Sequence, residues 1–119
     1  MKTSMLIALV CTALVLIVLV RGAGATTPPA EAKALVDGGA LLVDVRTPEE
    51  FASGHIEGAK NIPVSELQVR LAEFGAKDSK VVVYCRSGNR SGKAKTMLEA
   101  AGYTAVFNAG AYSAWPKGD

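Results

Sequence analysis

Residues 81–91, VVVYCRSGNRS, place a run of four apolar residues directly before a polar turn that contains a cysteine. The unbroken apolar run predicts a β-strand over 81–84 that is buried on both faces, as strands of parallel sheets are. After the turn, apolar residues recur at positions 94, 97, 98 and 101, so an amphipathic helix is predicted over 91–101. The stretch therefore predicts a strand, a tight loop and a helix in succession.

The rest of the chain repeats this alternation of short strands and helices. Predicted strands cover residues 41–45, 61–62 and 105–107, and predicted helices cover 30–36, a short helix that begins at the capping box 47–50, and 64–74, with a terminal turn or helix that carries Trp115. Residues 26–30 have the composition of a linker. Such an alternation predicts a single α/β domain, a small parallel β-sheet with helices on both faces.

The N-terminus carries an apolar segment of its own. Residues 5–20 are almost all apolar, a basic residue precedes them, and small residues stand at Ala23 and Ala25. These three features predict a secretory signal peptide over residues 1–25, with the domain in 26–119. The alternative is an uncleaved membrane anchor through residues 5–20, because the run is longer than an ordinary signal core. Either reading predicts a periplasmic or otherwise exported domain.

Composition excludes several classes of function. Residues 26–119 carry 11 basic and 11 acidic side chains, so this neutral domain lacks the charge of a nucleic-acid-binding protein. No cluster of cysteine and histidine has metal-ligand spacing, so neither a metal nor another cofactor is expected. With Cys11 in the predicted signal, Cys85 is the single cysteine of the domain and has no partner for an internal disulfide.

The residues around Cys85 indicate a reactive thiol. Ligands of parallel sheets bind beyond the carboxyl ends of the strands, which is where Cys85 lies. Gly88 and Asn89 tolerate a positive φ, so the short loop can curl and point its amides inward, towards the positive end of the following helix. Arg86 and Arg90 add positive charge. Such surroundings lower a thiol pKa and favour a nucleophile over the alternative, a buried unreactive cysteine.

Three sequence segments resemble the signatures of the rhodanese family. Residues 85–91 (CRSGNRS) are similar to its active-site loop, and residues 44–51 (DVRTPEEF) with 54–63 (GHIEGAKNIP) are similar to its first signature. The C-terminal signature is represented by Gly102-Tyr103, Asn108-Ala109-Gly110 and Trp115. Ala111 departs from the family pattern, which usually has a second glycine there. The resemblance covers residues 35–115 and implies a rhodanese-like fold.

The resemblance implies sulfur transfer through a persulfide on Cys85. Thiosulfate would be the donor, and cyanide or a small or protein thiol would be the acceptor. The residues expected to bind substrate are Arg86, Ser87, Gly88, Asn89, Arg90 and Ser91. Among these, Arg86 is expected to attract thiosulfate, and Arg90 to brace the loop and add positive potential. Asp44, Arg46 and His55 are expected to support the structure. A carboxylate inside an apolar strand, such as Asp44, is usually a structural partner for a loop or an arginine. His55 is expected to be a hydrogen-bonded residue of a turn.

The sequence is also compatible with two other functions. A cysteine phosphatase also carries its nucleophile between a strand and a helix, but five residues separate its cysteine from its arginine. Here four residues separate Cys85 from Arg90, and the smaller ring suits a single sulfur atom better than a phosphate. The other alternative is a rhodanese-like persulfide carrier, sensor or binding module with little turnover. The intact Cys85 and its two arginines favour an enzyme.

Overall fold

The computed structural model describes residues 25–117, which form one four-stranded sheet with helices on both faces. The strands are β1 (Leu41–Asp44), β2 (Lys60–Asn61), β3 (Val81–Cys85) and β4 (Val106–Ala111), and the helices are α1 (Pro29–Asp37), α2 (Pro48–Ala52), the 3-10 helical segment Val64–Phe74, α3 (Asn89–Ala100) and a final 3-10 turn, Tyr112–Ala114. The strand order is β2-β1-β3-β4, and all pairs are parallel. The predicted parallel α/β architecture is confirmed.

Alternate residues of the central strand β3 enter two separate hydrophobic cores. On one face, the side chains of Val81, Val83 and Cys85 pack with the segment Val64–Phe74 and with α3. On the other face, Val82 and Tyr84 pack beneath α1. Because both faces of β3 are covered, all five of its residues are buried, as its unbroken apolar sequence predicts. Cys85 thus lies on the α3 face, at the carboxyl end of the strand.

The predicted strand 105–107 is longer in the structure, because β4 runs from Val106 to Ala111. A bulge allows this, since Val83 pairs with Asn108 but Tyr84 pairs with Gly110. One residue of β4 is thereby passed over, and Gly110 adopts a φ of 81°. The strand then continues alongside Cys85, which belongs to β3 rather than to the loop after it.

The expectation of a linker over residues 26–30 is wrong. Thr26 forms a parallel bridge with Asn108, and the amide of Thr27 donates a hydrogen bond of 2.7 Å to the carbonyl oxygen of Asn108. Helix α1 then begins at Pro29, where a proline is tolerated because the first amides of a helix have no partner within it. These residues therefore extend the sheet beyond β4 and start the first helix.

Residues 64–74 form a 3-10 helical segment rather than a regular α-helix. Arg70 has non-helical angles (φ −116°, ψ 22°) and divides the segment in two. Leu67 in the first half and Phe74 in the second are both buried. Gly75 ends the segment with a φ of 82°, as its position in the sequence predicts.

Residues 1–24 of the predicted signal or anchor segment lie outside the described residues. Within residues 25–117, no helix has the length and apolar character that crossing a membrane requires.

Candidate active site

The cysteine lies where β3 turns into α3. Gly88, with a φ of 96°, reverses the chain, and α3 begins at the next residue, two residues earlier than the sequence predicts. The positive φ explains the early start, because it lets the chain enter the helix directly from the turn. The amide of Gly88 donates a hydrogen bond of 2.9 Å to the Sγ of Cys85. The loop therefore curls around the sulfur atom.

A buried hydroxyl completes the surroundings of the sulfur. The Oγ of Ser91 lies 3.4 Å from the Sγ of Cys85 and 3.1 Å from the carbonyl oxygen of Gly88, and it can donate its proton to either. Cys85 and Ser91 are both 0% exposed. Burial alone raises the pKa of Cys85, but the Ser91 hydroxyl and the amides of Ser91, Ser87 and Gly88 more than offset it, and the pKa is lowered. The site therefore stabilises a thiolate.

The two arginines of the loop differ in their surroundings. Arg86 is exposed, and its side chain forms no hydrogen bond or ion pair with any residue in 25–117. Both terminal nitrogens of the Arg90 guanidinium donate to Glu50, with Nη1 2.7 Å from Oε1 and Nη2 2.9 Å from Oε2. Sequence reasoning missed this partner of Arg90. Arg86 is thus a free positive charge at the loop, whereas Arg90 is paired.

The remaining loop residues lie at the surface. Ser87 and Asn89 are exposed, and Asn89 is the first residue of α3 rather than part of the turn. Ser87 contributes its backbone amide to the surroundings of Cys85, not its hydroxyl. The loop therefore presents a buried sulfur surrounded by a polar rim.

A family comparison agrees with this geometry. The family described as Rhodanese-like domain matches residues 28–117. The chain belongs to the rhodanese family. Thiosulfate sulfurtransferase PspE of Escherichia coli (strain K12) is 46% identical over 69 residues, which cover 57% of this chain and 66% of that protein. Thiosulfate:glutathione sulfurtransferase of Homo sapiens is 40% identical over 108 residues, which cover 79% of this chain and 94% of that protein.

Solved structures show the same fold. The human single-domain sulfurtransferase TSTD1 superposes on this rhodanese domain with a TM-score of 0.70 at 38% identity, covering 76% of this chain and 93% of that one. Ala111, the residue that departs from the family pattern, has φ −82° and ψ 139° and pairs with Cys85 as the last residue of β4. Because this is ordinary extended backbone, the position does not require a glycine.

At the carboxyl end of β1 in this rhodanese domain, Asp44 and Arg46 form a buried ion pair. Nε and Nη2 of Arg46 donate to the carboxylate of Asp44 at 2.7 to 3.0 Å, and Nη2 also donates to the carbonyl oxygen of Gly54 at 2.7 Å. The hydrogen bonds to Asp44 raise the pKa of Arg46. The guanidinium lies 5.8 Å from the ring centre of Tyr84 and 4.7 Å from that of Tyr112. The pair thus joins β1, β3 and the turn after β4.

His55 lies outside the cysteine loop, which comprises residues 85–91. Its Nδ1 is hydrogen-bonded to the carbonyl oxygen of Phe51 at 2.8 Å, and its ring stacks on that of Phe51 at a centre-to-centre distance of 3.6 Å. The imidazole closes the turn after α2 while remaining exposed to solvent.

Asn108 is a second residue that the sequence reading did not assign to the site. Its Oδ1 accepts a hydrogen bond of 2.9 Å from the amide of Gly110, and its Nδ2 donates one of 3.4 Å to the carbonyl oxygen of Gly88. Its position in the C-terminal signature of the family is the sequence feature that could have indicated a role at the site. Asn108 ties the turn of the loop to β4.

A cavity of about 700 Å³ lies on the α1 side of this rhodanese domain. Lys33, Ile56, Tyr112 and Trp115 are among its lining residues, and none of residues 85–91 is. The cavity is therefore separate from the loop around Cys85. Across residues 25–117, no group of three or more histidine, cysteine or acidic side chains is arranged to hold a metal ion.

Proposed function

We propose that this rhodanese domain is a thiosulfate sulfurtransferase that carries sulfur on Cys85. The proposal rests on the surroundings of Cys85. The amide of Gly88 and the hydroxyl of Ser91 both donate to its Sγ, and the pKa of the thiol is lowered. The names of the relatives described above support thiosulfate as the donor. Hydrogen bonds that stabilise the Cys85 thiolate favour formation of the nucleophile, and they stabilise it again when the acceptor removes the transferred sulfur.

The reaction has two steps, and each conserves charge. In the first, the Cys85 thiolate attacks the outer sulfur of thiosulfate, a new S–S bond forms, and the old S–S bond breaks as sulfite leaves with its electron pair. In the second, an acceptor attacks the terminal sulfur of the Cys85 persulfide and the thiolate is regenerated. Cyanide would leave as thiocyanate, and a thiolate would leave as a persulfide.

The other loop residues have distinct parts in this proposal. Arg86, exposed and free of intramolecular partners within 25–117, attracts the thiosulfate dianion. The amides of Ser87 and Gly88 hold the reacting sulfur, whereas Arg90 braces the loop through Glu50. We also propose that the reaction takes place outside the inner membrane, with residues 1–25 as a cleaved signal or residues 5–20 as an anchor.

A second candidate function has an observation in its favour. Because Cys85 is completely buried, a persulfide there is shielded from bulky acceptors, and slow removal of the sulfur is the behaviour of a persulfide carrier or sensor with little turnover. The carrier and the enzyme share the first half-reaction. They differ only in how quickly an acceptor removes the sulfur.

Turnover of thiosulfate and cyanide by the full chain tests the proposal. We expect Cys85→Ser to abolish thiocyanate formation and Cys11→Ser, the matched control, to retain it, with circular dichroism showing that both variants fold. Thiosulfate treatment should add about 32 Da at Cys85, and cyanide should remove it. Activity of Cys85→Ser above a few per cent of the parent contradicts the proposal. An adduct that forms with negligible turnover favours the carrier.

A further inference from the structure

The carboxylate of Glu50 forms an ion pair with Arg90, near the end of the cysteine loop. Both terminal nitrogens of Arg90 donate to it, one to each oxygen, at 2.7 and 2.9 Å. This end-on arrangement is the geometry in which a guanidinium also binds sulfate, phosphate or the sulfonate end of thiosulfate. In this fold a protein carboxylate already occupies that edge of Arg90.

Glu50 is itself fixed from the other side. It is the third residue of α2, and its Oε1 accepts hydrogen bonds from the amide of Thr47 at 3.2 Å and from its hydroxyl at 3.1 Å. The amide of Glu50 in turn donates to the Thr47 hydroxyl at 3.2 Å. A carboxylate held by a capping box and an arginine has little freedom to move aside for an incoming anion.

The two ends of thiosulfate make different demands on such a loop. The outer sulfur needs amide and hydroxyl donors around Cys85, which Gly88 and Ser91 supply. The sulfonate end has the shape and charge of sulfate. Arg90 interacts electrostatically with Cys85, so an unpaired Arg90 guanidinium could bind sulfate, phosphate or the product sulfite close to the thiolate, where they would compete with the donor.

We propose that Glu50 is a specificity-determining residue that prevents Arg90 from binding tetrahedral oxyanions. The proposal deepens the function assigned above and rests on it, because Cys85 is taken as the sulfur acceptor. Glu50 acts through Arg90 and does not touch substrate. Its effect is to leave the loop selective for a single sulfur atom while exposed Arg86 attracts the dianion.

Glu50→Gln tests this, since a glutamine oxygen can still accept the Thr47 amide but carries no charge. The readout is protection of Cys85 from iodoacetamide by sulfate, and separately by phosphate, in full-length protein at constant ionic strength. We expect the protecting concentration to fall about threefold to tenfold, as for one unpaired charge near the surface. Glu49→Gln is the matched control, because it removes an exposed charge in the same turn of α2.

Arg90→Gln separates this effect from a general change in the loop. Added to Glu50→Gln, it should abolish the gain in sulfate protection. Alone, it should leave sulfate protection as weak as in the parent. The proposal is overturned if Glu50→Gln leaves protection unchanged, if Glu49→Gln produces the same gain, or if the gain survives without Arg90. Alkylation needs no turnover, so these results stand apart from any failure of the sulfurtransferase assay.

Discussion

Gly88 and Gly110 meet at the back of the cysteine loop, so closely that a Cβ atom added to Gly88 would lie 3.4 Å from the Cα of Gly110. The bulge in β4 brings Gly110 to this point, and the side chain of Asn108 connects the two residues by hydrogen bonds. The loop is therefore supported by a strand that carries no reacting group. Its geometry at Cys85 depends on backbone contacts behind it.

Gly88→Ala should reduce both stability and thiol reactivity. An alanine at φ 96° costs about 1–2 kcal/mol, and its Cβ would press on Gly110 and displace the amide that donates to Cys85. Gly58→Ala is the matched control, because its φ is 86° and nothing lies within 4 Å of its added Cβ. Urea denaturation should show a loss in both variants. Slower alkylation of Cys85 at pH 7 should appear only in Gly88→Ala, and equal alkylation rates in the two would refute the argument.

Ser91→Ala should raise the pKa of Cys85. Burial would be retained while the hydroxyl donor 3.4 Å from Sγ is lost. Alkylation should therefore be slower than in the parent at pH 6, and the two rates should converge at alkaline pH, where both sulfurs are ionised. Ser87→Ala is the control, since Ser87 contributes an amide and its side chain is exposed. A parallel shift of the pH profile in Ser87→Ala would count against this assignment.

Arg86→Ala should raise the KM for thiosulfate with little change in kcat. An exposed charge contributes mainly by attracting the dianion, so an increase of about two- to fivefold is expected at low salt. The increase should diminish in high salt, because exposed charges are screened. Lys93→Ala removes another exposed positive charge from α3 and serves as control. An unchanged KM in Arg86→Ala at low salt would mean that another residue binds the donor.

The ion pair between Glu50 and Arg90 should make part of the stability depend on pH. Hydrogen bonds from Arg90 lower the pKa of Glu50 from 4.5 to about 2. A depressed folded-state pKa gives stability that is present above the unfolded value and lost as the pH falls towards the folded value. The difference in unfolding free energy between the parent and Glu50→Gln should therefore shrink from pH 5 to pH 2. Glu73, whose pKa is also lowered to about 2, is present in both proteins. Its contribution to the pH dependence therefore cancels in the difference between them.

The parts of the fold that the sequence predicts well are those with local causes. The apolar run of β3 needs both faces covered, and Thr47 with Glu50 forms the capping box that their spacing indicates. Cys85 follows directly, because a strand end next to a helix start places it at the ligand-binding edge. These features depend on residues a few positions apart.

The missed features join residues that are distant in sequence. Arg90 and Glu50 are 40 positions apart, and nothing in either segment indicates which carboxylate an arginine will find. Asn108 and Gly110 have the composition of a turn, and only pairing with β3 across a bulge makes them a strand. Thr26 and Thr27 likewise have the composition of a linker until Asn108 is brought beside them.

The pairing of Thr26 with Asn108 leaves very little tether at the N-terminus. Only residues 21–25 separate the apolar run 5–20 from a residue built into the sheet, and five residues reach about 18 Å at most. If this run remained in a bilayer, the domain would be held close to the lipid surface. Acceptors would then have to approach the domain at the membrane. Cleavage after Ala25 would release the domain into solution with its pairing to Asn108 still in place.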